Sequence, residues 1–318
     1  MAKRGLCTIL IFTSVLIYLD KILRREHYKF IEGQQQRKKL LKSTCGKFHL
    51  PYGRESSYLG DRKQLFHQML VENKRKMIFC EVPKTGSKNW RKVLSSEKLD
   101  RLDEFMNLGY DLSMKENNEM FRTLRKGNSY NYQILNTRHP LARLHSTWKD
   151  IFVDNKTSNN YQSFVTRILP YENTLSLLNK KPSTARVSFQ AFLEWLAKDE
   201  WSVDRFGDIQ WARISDLCAP CVVKYNLITR IEDSDEYLTK ALKELGISKR
   251  FPEWNGTVRK HDNLFEFYDQ LSWLYLDFYE IPEEIICGIF NKYKLDFHLF
   301  GYQVAPFLTM YSTCDFSA

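Results

Sequence analysis

The chain contains no GxxxxGK[ST] loop. Without that phosphate cradle and its lysine, an NTP-hydrolysing or kinase reading loses its main support. There is no internal repeat and no long low-complexity tract, which excludes a repeat array. Metal ligands at suitable spacing are scarce. Cys218 and Cys221 form one CxxC, but no second CxxC and no histidine pair completes a zinc site, so no metal is expected. Long apolar runs are scarce too. The run from Gly5 to Leu19 is interrupted by Thr8, Thr13, Ser14 and Tyr18, and it is shorter than the about 20 residues that cross a typical bilayer.

What is present supports a packed domain. The 318 residues are 43% hydrophobic and 14% aromatic, which excludes a disordered chain and allows one sizeable core. The net charge of +10 is unevenly placed. Residues 1–42 hold ten Lys/Arg against three Asp/Glu, so +7 of it lies there. No general polyanion-binding surface follows, and no nucleic-acid partner is expected. Local basic clusters remain at Lys84/Lys88/Arg91/Lys92, Arg122/Arg125/Lys126 and Arg259/Lys260.

Two stretches carry chemistry. In the first, Met77 to Val82 is a short apolar run rich in β-formers and closed by Pro83, which suits a buried strand. Lys84, Thr85, Gly86, Ser87 and Lys88 follow, and Trp90, Val93 and Leu94 fall at i, i+3, i+4, so a helix begins near Asn89. A loop entering a helix N-terminus offers unpaired N–H groups and a positive dipole end to an anion. An ordinary βα turn with solvated lysines would show the same pattern. In the second stretch, Tyr132 to Thr137 reads as a strand, and Pro140 suits the first turn of a helix. Leu141, Leu144, Trp148, Ile151 and Phe152 share one helical stripe, with Ser146 nearly opposite. Arg138 just before the helix and the Ser146 hydroxyl are sound ligands for a phosphate. A structural arginine and a surface serine are the plain alternative.

Elsewhere Phe189 to Lys198 reads as a helix, Cys221 to Ile231 as a strand and Asp233 to Leu245 as a helix. His261 to Leu295 is helical and aromatic, and Asp154 to Ser188 is the loop-rich part. Strands alternating with helices give the expected fold: α/β, a P-loop-like parallel sheet flanked by helices, with ligands at the carboxyl ends of the strands.

The paired stretches resemble the Golgi carbohydrate sulfotransferases, in particular the chondroitin, dermatan and HNK-1-type branch. Cys80, Pro83, Lys84, Asn89, Trp90, Val93 and Leu94 match that family's first motif, and Arg138, Pro140, Arg143, Leu144, Ser146 and Phe152 match its second. Leu217-Cys218-Ala219-Pro220-Cys221 is similar to its LCxPC, and Tyr293 to Tyr302 to its YxxDFxxFGY. Departures are Lys88 where the family often has Thr, Leu141 in place of an aromatic, and Gln210-Trp211 in place of His-Trp.

The resemblance implies a PAPS-dependent O-sulfotransferase acting on a glycan, most closely a chondroitin or dermatan glycosaminoglycan, without a metal. Pro83, Lys84, Thr85, Gly86, Ser87, Lys88, Asn89 and Trp90 then hold the 5′-phosphosulfate, with loop N–H groups of Thr85 to Asn89 as donors. Lys84 stabilises the leaving oxygen, while Arg138 and Ser146 hold the 3′-phosphate. Candidates for the base are His139, His145, His261 and Glu81. Other acceptors, a catalytically silent relative that binds nucleotide or glycan, and an anchored binding protein with no nucleotide site are the competing readings.

The same resemblance orients the chain as a single-pass type II Golgi membrane protein. Residues 1–4 form a cytoplasmic stub, 5–19 a signal anchor, 20–70 a polar stem and 71–310 the luminal sulfotransferase domain. No small-residue cleavage site follows the apolar run. Seven cysteines are consistent with an oxidising lumen. Cys7 lies in the span and Cys80 in the first strand. Cys45, Cys218, Cys221, Cys287 and Cys314 are available to pair, with connectivity left open. Sequons stand at Asn155 and Asn255.

Overall fold

The computed structural model describes residues 28–48, 62–94, 99–102, parts of 122–127, 130–154, 159–171, 187–198, 209–233, 235–247, 278 and 280–303, and 314. The apolar run at 5–19, both sequons and His261 lie outside them. Among the described residues no helix is long and apolar enough to cross a membrane.

Five strands form one sheet: β1 (Met69–Glu72), β2 (Met77–Cys80), β3 (Leu99–Arg101), β4 (Tyr132–Thr137) and β5 (Leu227–Arg230), in the order β3-β1-β2-β4-β5. β2, β4 and β5 run parallel, but β1 is antiparallel to both β2 and β3. The expected parallel sheet is therefore a mixed one. The cause is the connection: only residues 73–76 join β1 to β2. So short a link closes a hairpin, whereas a parallel pair needs a crossover of a dozen or more residues.

Side chains alternate across the sheet with the period of a strand. Ile78, Cys80, Leu135 and Ile228 enter one apolar core. Met77, Phe79, Ile134 and Leu227 enter the other. The first core is built against α4 (Pro140–Trp148), α6 (Phe189–Lys198), α7 (Ile214–Cys218) and α9 (Glu283–Phe300). The second is covered by α3 (Ser87–Leu94) and α8 (Asp235–Glu244). α4 continues as a π-helical turn, Lys149–Asp154, and α5 (Asn159–Ile168) follows inside the stretch read as loop-rich. The long reading at 221–231 shortens to β5, because 221–226 are turns below two disulfides.

Within the 20–70 stretch expected as a stem lie α1 (28–47), a helix packed on the sheet edge, and α2 (Arg62–Gln68), which leads into β1. Phe30, Gln34, Leu41, Thr44 and Cys45 are its buried positions. Gln34 Nε2 donates to the Ile228 carbonyl (2.8 Å) and Gln34 Oε1 accepts the Ile228 N–H (2.9 Å). One side-chain amide thus imitates a neighbouring strand and closes the β5 edge. Arg37 forms a forked pair with Asp233 (2.8 and 2.5 Å) beside it. Gln34→Ala orphans the Ile228 N–H, while the Ile228 carbonyl keeps the bond from Arg37 Nη1 (2.9 Å). The substitution is expected to cost about 1–3 kcal/mol, read as a lowered Tm in thermal unfolding.

Three disulfides join Cys45 to Cys221, Cys80 to Cys218 and Cys287 to Cys314. Cys80, read as a buried strand residue outside the pairing set, is buried and paired. LCxPC supplies two staples, one to α1 and one to the end of β2. Glu283 approaches Cys287 and Cys314, but both sulfurs are taken up by their disulfide, so this group offers a metal one carboxylate.

Candidate active site

The loop after β2 is held from several sides. Arg143, buried in α4, donates from Nε to the Pro83 carbonyl (3.0 Å), and its other nitrogens donate to the carbonyls of Ala212 (2.5 Å) and Ile209 (3.0 Å). Asn136 at the end of β4 donates its amide to the Thr85 carbonyl and accepts from the Thr229 hydroxyl (2.8 Å). Lys84 has φ 65° and Gly86 φ 86°. A lysine in the left-handed region is strained, and such strain gathers where function over-determines the backbone.

Two side chains of this stretch turn into the protein. The Thr85 hydroxyl is buried and donates to the Val82 carbonyl (2.9 Å). Trp90 is buried and stacks on Phe79 with ring centroids 5.6 Å apart. Both side chains face the protein and shape the loop, and what Thr85 offers outward is its backbone N–H. The donor set narrows as well. The N–H groups of Asn89 and Trp90 both donate to the Gly86 carbonyl (3.0 and 3.2 Å). Donors for an anion at this helix start are therefore the N–H groups up to Lys88, whose side chain is exposed.

The second stretch meets the first at Arg138. Its Nη1 donates to the Lys84 carbonyl (2.9 Å), so the two motifs share one backbone group. Glu232 balances this guanidinium. Its carboxylate accepts the His139 N–H (2.8 Å) and the Tyr302 hydroxyl (3.1 Å). Burial pushes the Glu232 carboxyl up, opposed by the His139 N–H and the Arg138 charge. Burial lowers the Arg138 pKa, opposed by Glu232. Ser146 stands six residues into α4 from Pro140, about 9 Å along the axis. It is half-buried, and its hydroxyl meets no hydrogen-bond partner among the described residues.

The described base candidates are committed elsewhere. Glu81 accepts a forked pair from Arg91 (2.5 and 2.7 Å) and a contact from Arg101 (3.3 Å). His145 is buried between the rings of Trp148 and Phe189. His139 is buried against Phe297 and Tyr302, with Nε2–H donating to the Gln303 carbonyl (3.2 Å). Burial lowers the His139 pKa to about 4, with Arg138 and Arg230 adding repulsion. The native state thus holds His139 neutral while the unfolded chain protonates it below about 6.5. This contribution to stability is complete above about pH 6.5 and is lost as pH falls toward 4, about 2 kcal/mol of it by pH 5. The difference in unfolding free energy between wild type and His139→Gln should therefore shrink by about that amount between pH 7 and pH 5.

One contact of the loop has no counterpart in the sequence expectations. Lys84 Nζ is paired with Asp150 Oδ2, from the π-helical turn after α4. The signal was available, since Asp150 stands at i+4 from Ser146 and so shares its helix face. The C-terminal motif proves architectural. The Tyr293 hydroxyl donates to the Trp211 carbonyl. Asp296 accepts the first N–H groups of α7, from Ile214 (2.7 Å) and Ser215 (2.9 Å). Gly301 ends α9 at φ 62°, where a Cβ would meet Leu40 at 2.6 Å.

A loop entering a helix at the end of one parallel strand, tied through an arginine to the segment before the next helix, is an arrangement suited to holding an anion. The sulfotransferase family profile matches residues 67–303, and the chain belongs to that family of enzymes. It is 26% identical over 291 residues to "Carbohydrate sulfotransferase 14" of Danio rerio, covering 87% of this chain and 74% of the relative. It is 27% identical over 294 residues to "Carbohydrate sulfotransferase 10" of Xenopus laevis, covering 86% and 77%. Against "Carbohydrate sulfotransferase 9" of Homo sapiens it is 26% identical over 294 residues, spanning 87% of this chain but only 61% of the relative. No solved structure matches. The sulfate donor of the family is PAPS. The residues present fit its two phosphate-bearing ends: helix-start N–H groups, Lys84 and Lys88 at one, Arg138 and the free Ser146 hydroxyl at the other.

Proposed function

We propose that this enzyme transfers a sulfuryl group from PAPS to a hydroxyl of a glycan, a chondroitin- or dermatan-type glycosaminoglycan. The observation that carries the reading is the convergence of both phosphate motifs on Lys84, whose carbonyl takes Arg138. The curated names of the relatives support a carbohydrate acceptor. PAPS supplies the sulfuryl group. The loop N–H groups and Lys88 hold the 5′-phosphate, Arg138 and Ser146 the 3′-phosphate, and Lys84 meets the charge that grows on the leaving oxygen. Positioning and electrostatic stabilisation then account for most of the rate.

Three disulfides support an oxidising compartment. We place the catalytic domain in the Golgi lumen, anchored as a type II protein through residues 5–19 and glycosylated at Asn155 and Asn255. The test of acceptor class is labelled-sulfate transfer from PAPS to a panel of desulfated glycosaminoglycans and N-glycans. Incorporation into chondroitin or dermatan is expected, and label only in heparan or an N-glycan would reassign the acceptor. Arg138→Ala should weaken PAP binding about 10–100-fold by calorimetry, since a hydrogen bond to a charged group is worth roughly 1.5–3 kcal/mol. Unchanged affinity would remove Arg138 from the 3′-phosphate.

A further inference from the structure

We infer that Asp150 is the general base of the transfer and that it exchanges with Lys84 for this purpose; the inference rests on the sulfuryl-transfer reading above. Lys84 and Asp150 form an ion pair, so the carboxylate stands within one hydrogen bond of the ammonium assigned to the leaving oxygen. An acceptor hydroxyl attacking in line at sulfur must come close to this point. The Asp150 side chain is 46% exposed, while that of Lys84 is 17% exposed, so an acceptor reaches the carboxylate more readily than the amine. The residue sits on the helix face that carries Ser146, in a π-helical turn, a geometry often found at functional sites.

Competition among described groups points the same way. Glu81 serves Arg91 and Arg101. His139 and His145 are buried among rings. Asp150 is the carboxylate that the fold brings to Lys84.

Lys84 leaves Asp150 for the phosphosulfate of the donor, which releases the carboxylate from this ammonium. The acceptor O–H proton passes to an Asp150 oxygen as the acceptor O–S bond forms. The bond from sulfur to the phosphate oxygen breaks, its electron pair stays on that oxygen, and the Lys84 ammonium neutralises it. Asp150 then releases its proton to water and takes Lys84 back.

The test uses the full chain with Asp150→Asn and Asp150→Glu, PAP calorimetry and labelled-sulfate transfer from PAPS. Asp150→Asn should bind PAP at least as tightly as wild type, because the competing carboxylate is gone. Its kcat should fall about 10²–10⁴-fold, the range of general-base catalysis, with acceptor KM little changed. Asp150→Glu should recover at least about tenfold of the loss, since it restores a base on a longer arm. An Asp150→Asn enzyme at the wild-type kcat would overturn the assignment. So would an Asp150→Asn enzyme that no longer binds PAP, since Asp150 would then be holding the loop. If wild type itself binds no PAP, the donor reading falls first, which separates the two failures.

Discussion

Lys84→Ala is expected to lower sulfuryl-transfer turnover about 10²–10³-fold, the usual cost of removing one group aimed at developing charge. The expectation follows from where the fold puts this amine. The loop is fixed by Arg143 on Pro83, Asn136 on Thr85 and Arg138 on Lys84 itself. Its backbone is held in the left-handed region, so the side chain leaves the loop in a direction that ordinary residues rarely take. Truncation leaves this scaffold in place. Fold and Tm should therefore change little while kcat collapses. PAP binding should weaken less than turnover, because loop N–H groups and Arg138 remain. Equal loss of PAP affinity and turnover would mean that Lys84 binds ground state and transition state alike.

The second large effect concerns stability. The Cys80–Cys218 disulfide closes a sequence separation of 138 residues at the root of the phosphate loop. With Cys45–Cys221 intact, the shorter path between Cys80 and Cys218 runs through that bridge and spans about 40 residues, and in the chain-entropy account opening such a loop costs about 4 kcal/mol. That is a large share of the roughly 5–15 kcal/mol that holds a domain together. The double variant Cys80→Ala/Cys218→Ala should lose roughly 5–15 °C in Tm, measured by differential scanning calorimetry under non-reducing conditions. Activity should fall as well, since Cys80 is the last residue of β2 and Pro83 stands three residues on. Cys287→Ala/Cys314→Ala is the comparison, with a separation of only 27 residues and a position at the far helix. It should cost less stability and leave turnover close to wild type.

Much of the strand–loop–helix framework around Lys84 and Arg138 is legible in the sequence, and the reasons are local. β2 and β4 are short apolar runs ended by Pro83 and by Arg138 before a helix start, and a strand feeding a helix needs no tertiary information to be read. α6 appears at the bounds its apolar spacing predicts, Phe189–Lys198. What stays hidden depends on contacts between distant residues. α1 buries a stripe of Phe30, Gln34, Leu41 and Cys45, but its polar and basic members make it look like a solvated stem. Gln34 gives away its role only when β5 is beside it. Cys80 and Cys218 lie far apart in sequence, and nothing local marks them as partners.

The antiparallel β1 escapes because Met69–Glu72 is four residues long and falls across the expected domain boundary. Arg143 reads as one more motif residue, yet a guanidinium among the buried Leu141, Ala142 and Leu144 must find acceptors inside the protein. It finds three carbonyls and thereby binds the loop to the 209–212 segment. That segment contains Gln210, the position that differs from the resembled branch. Its backbone carbonyl accepts from the Thr147 hydroxyl (3.0 Å), which places it against α4. The position at which this chain departs from the resembled branch therefore lies against α4 and is tied through Arg143 to the loop after β2.

The most direct test of the central claim is isothermal titration of the protein with PAP. Saturable one-to-one binding is expected, weakened markedly in Arg138→Ala and more modestly in Lys84→Ala, with both variants folded. Absence of binding by folded wild-type protein would contradict it, as would binding that neither variant disturbs.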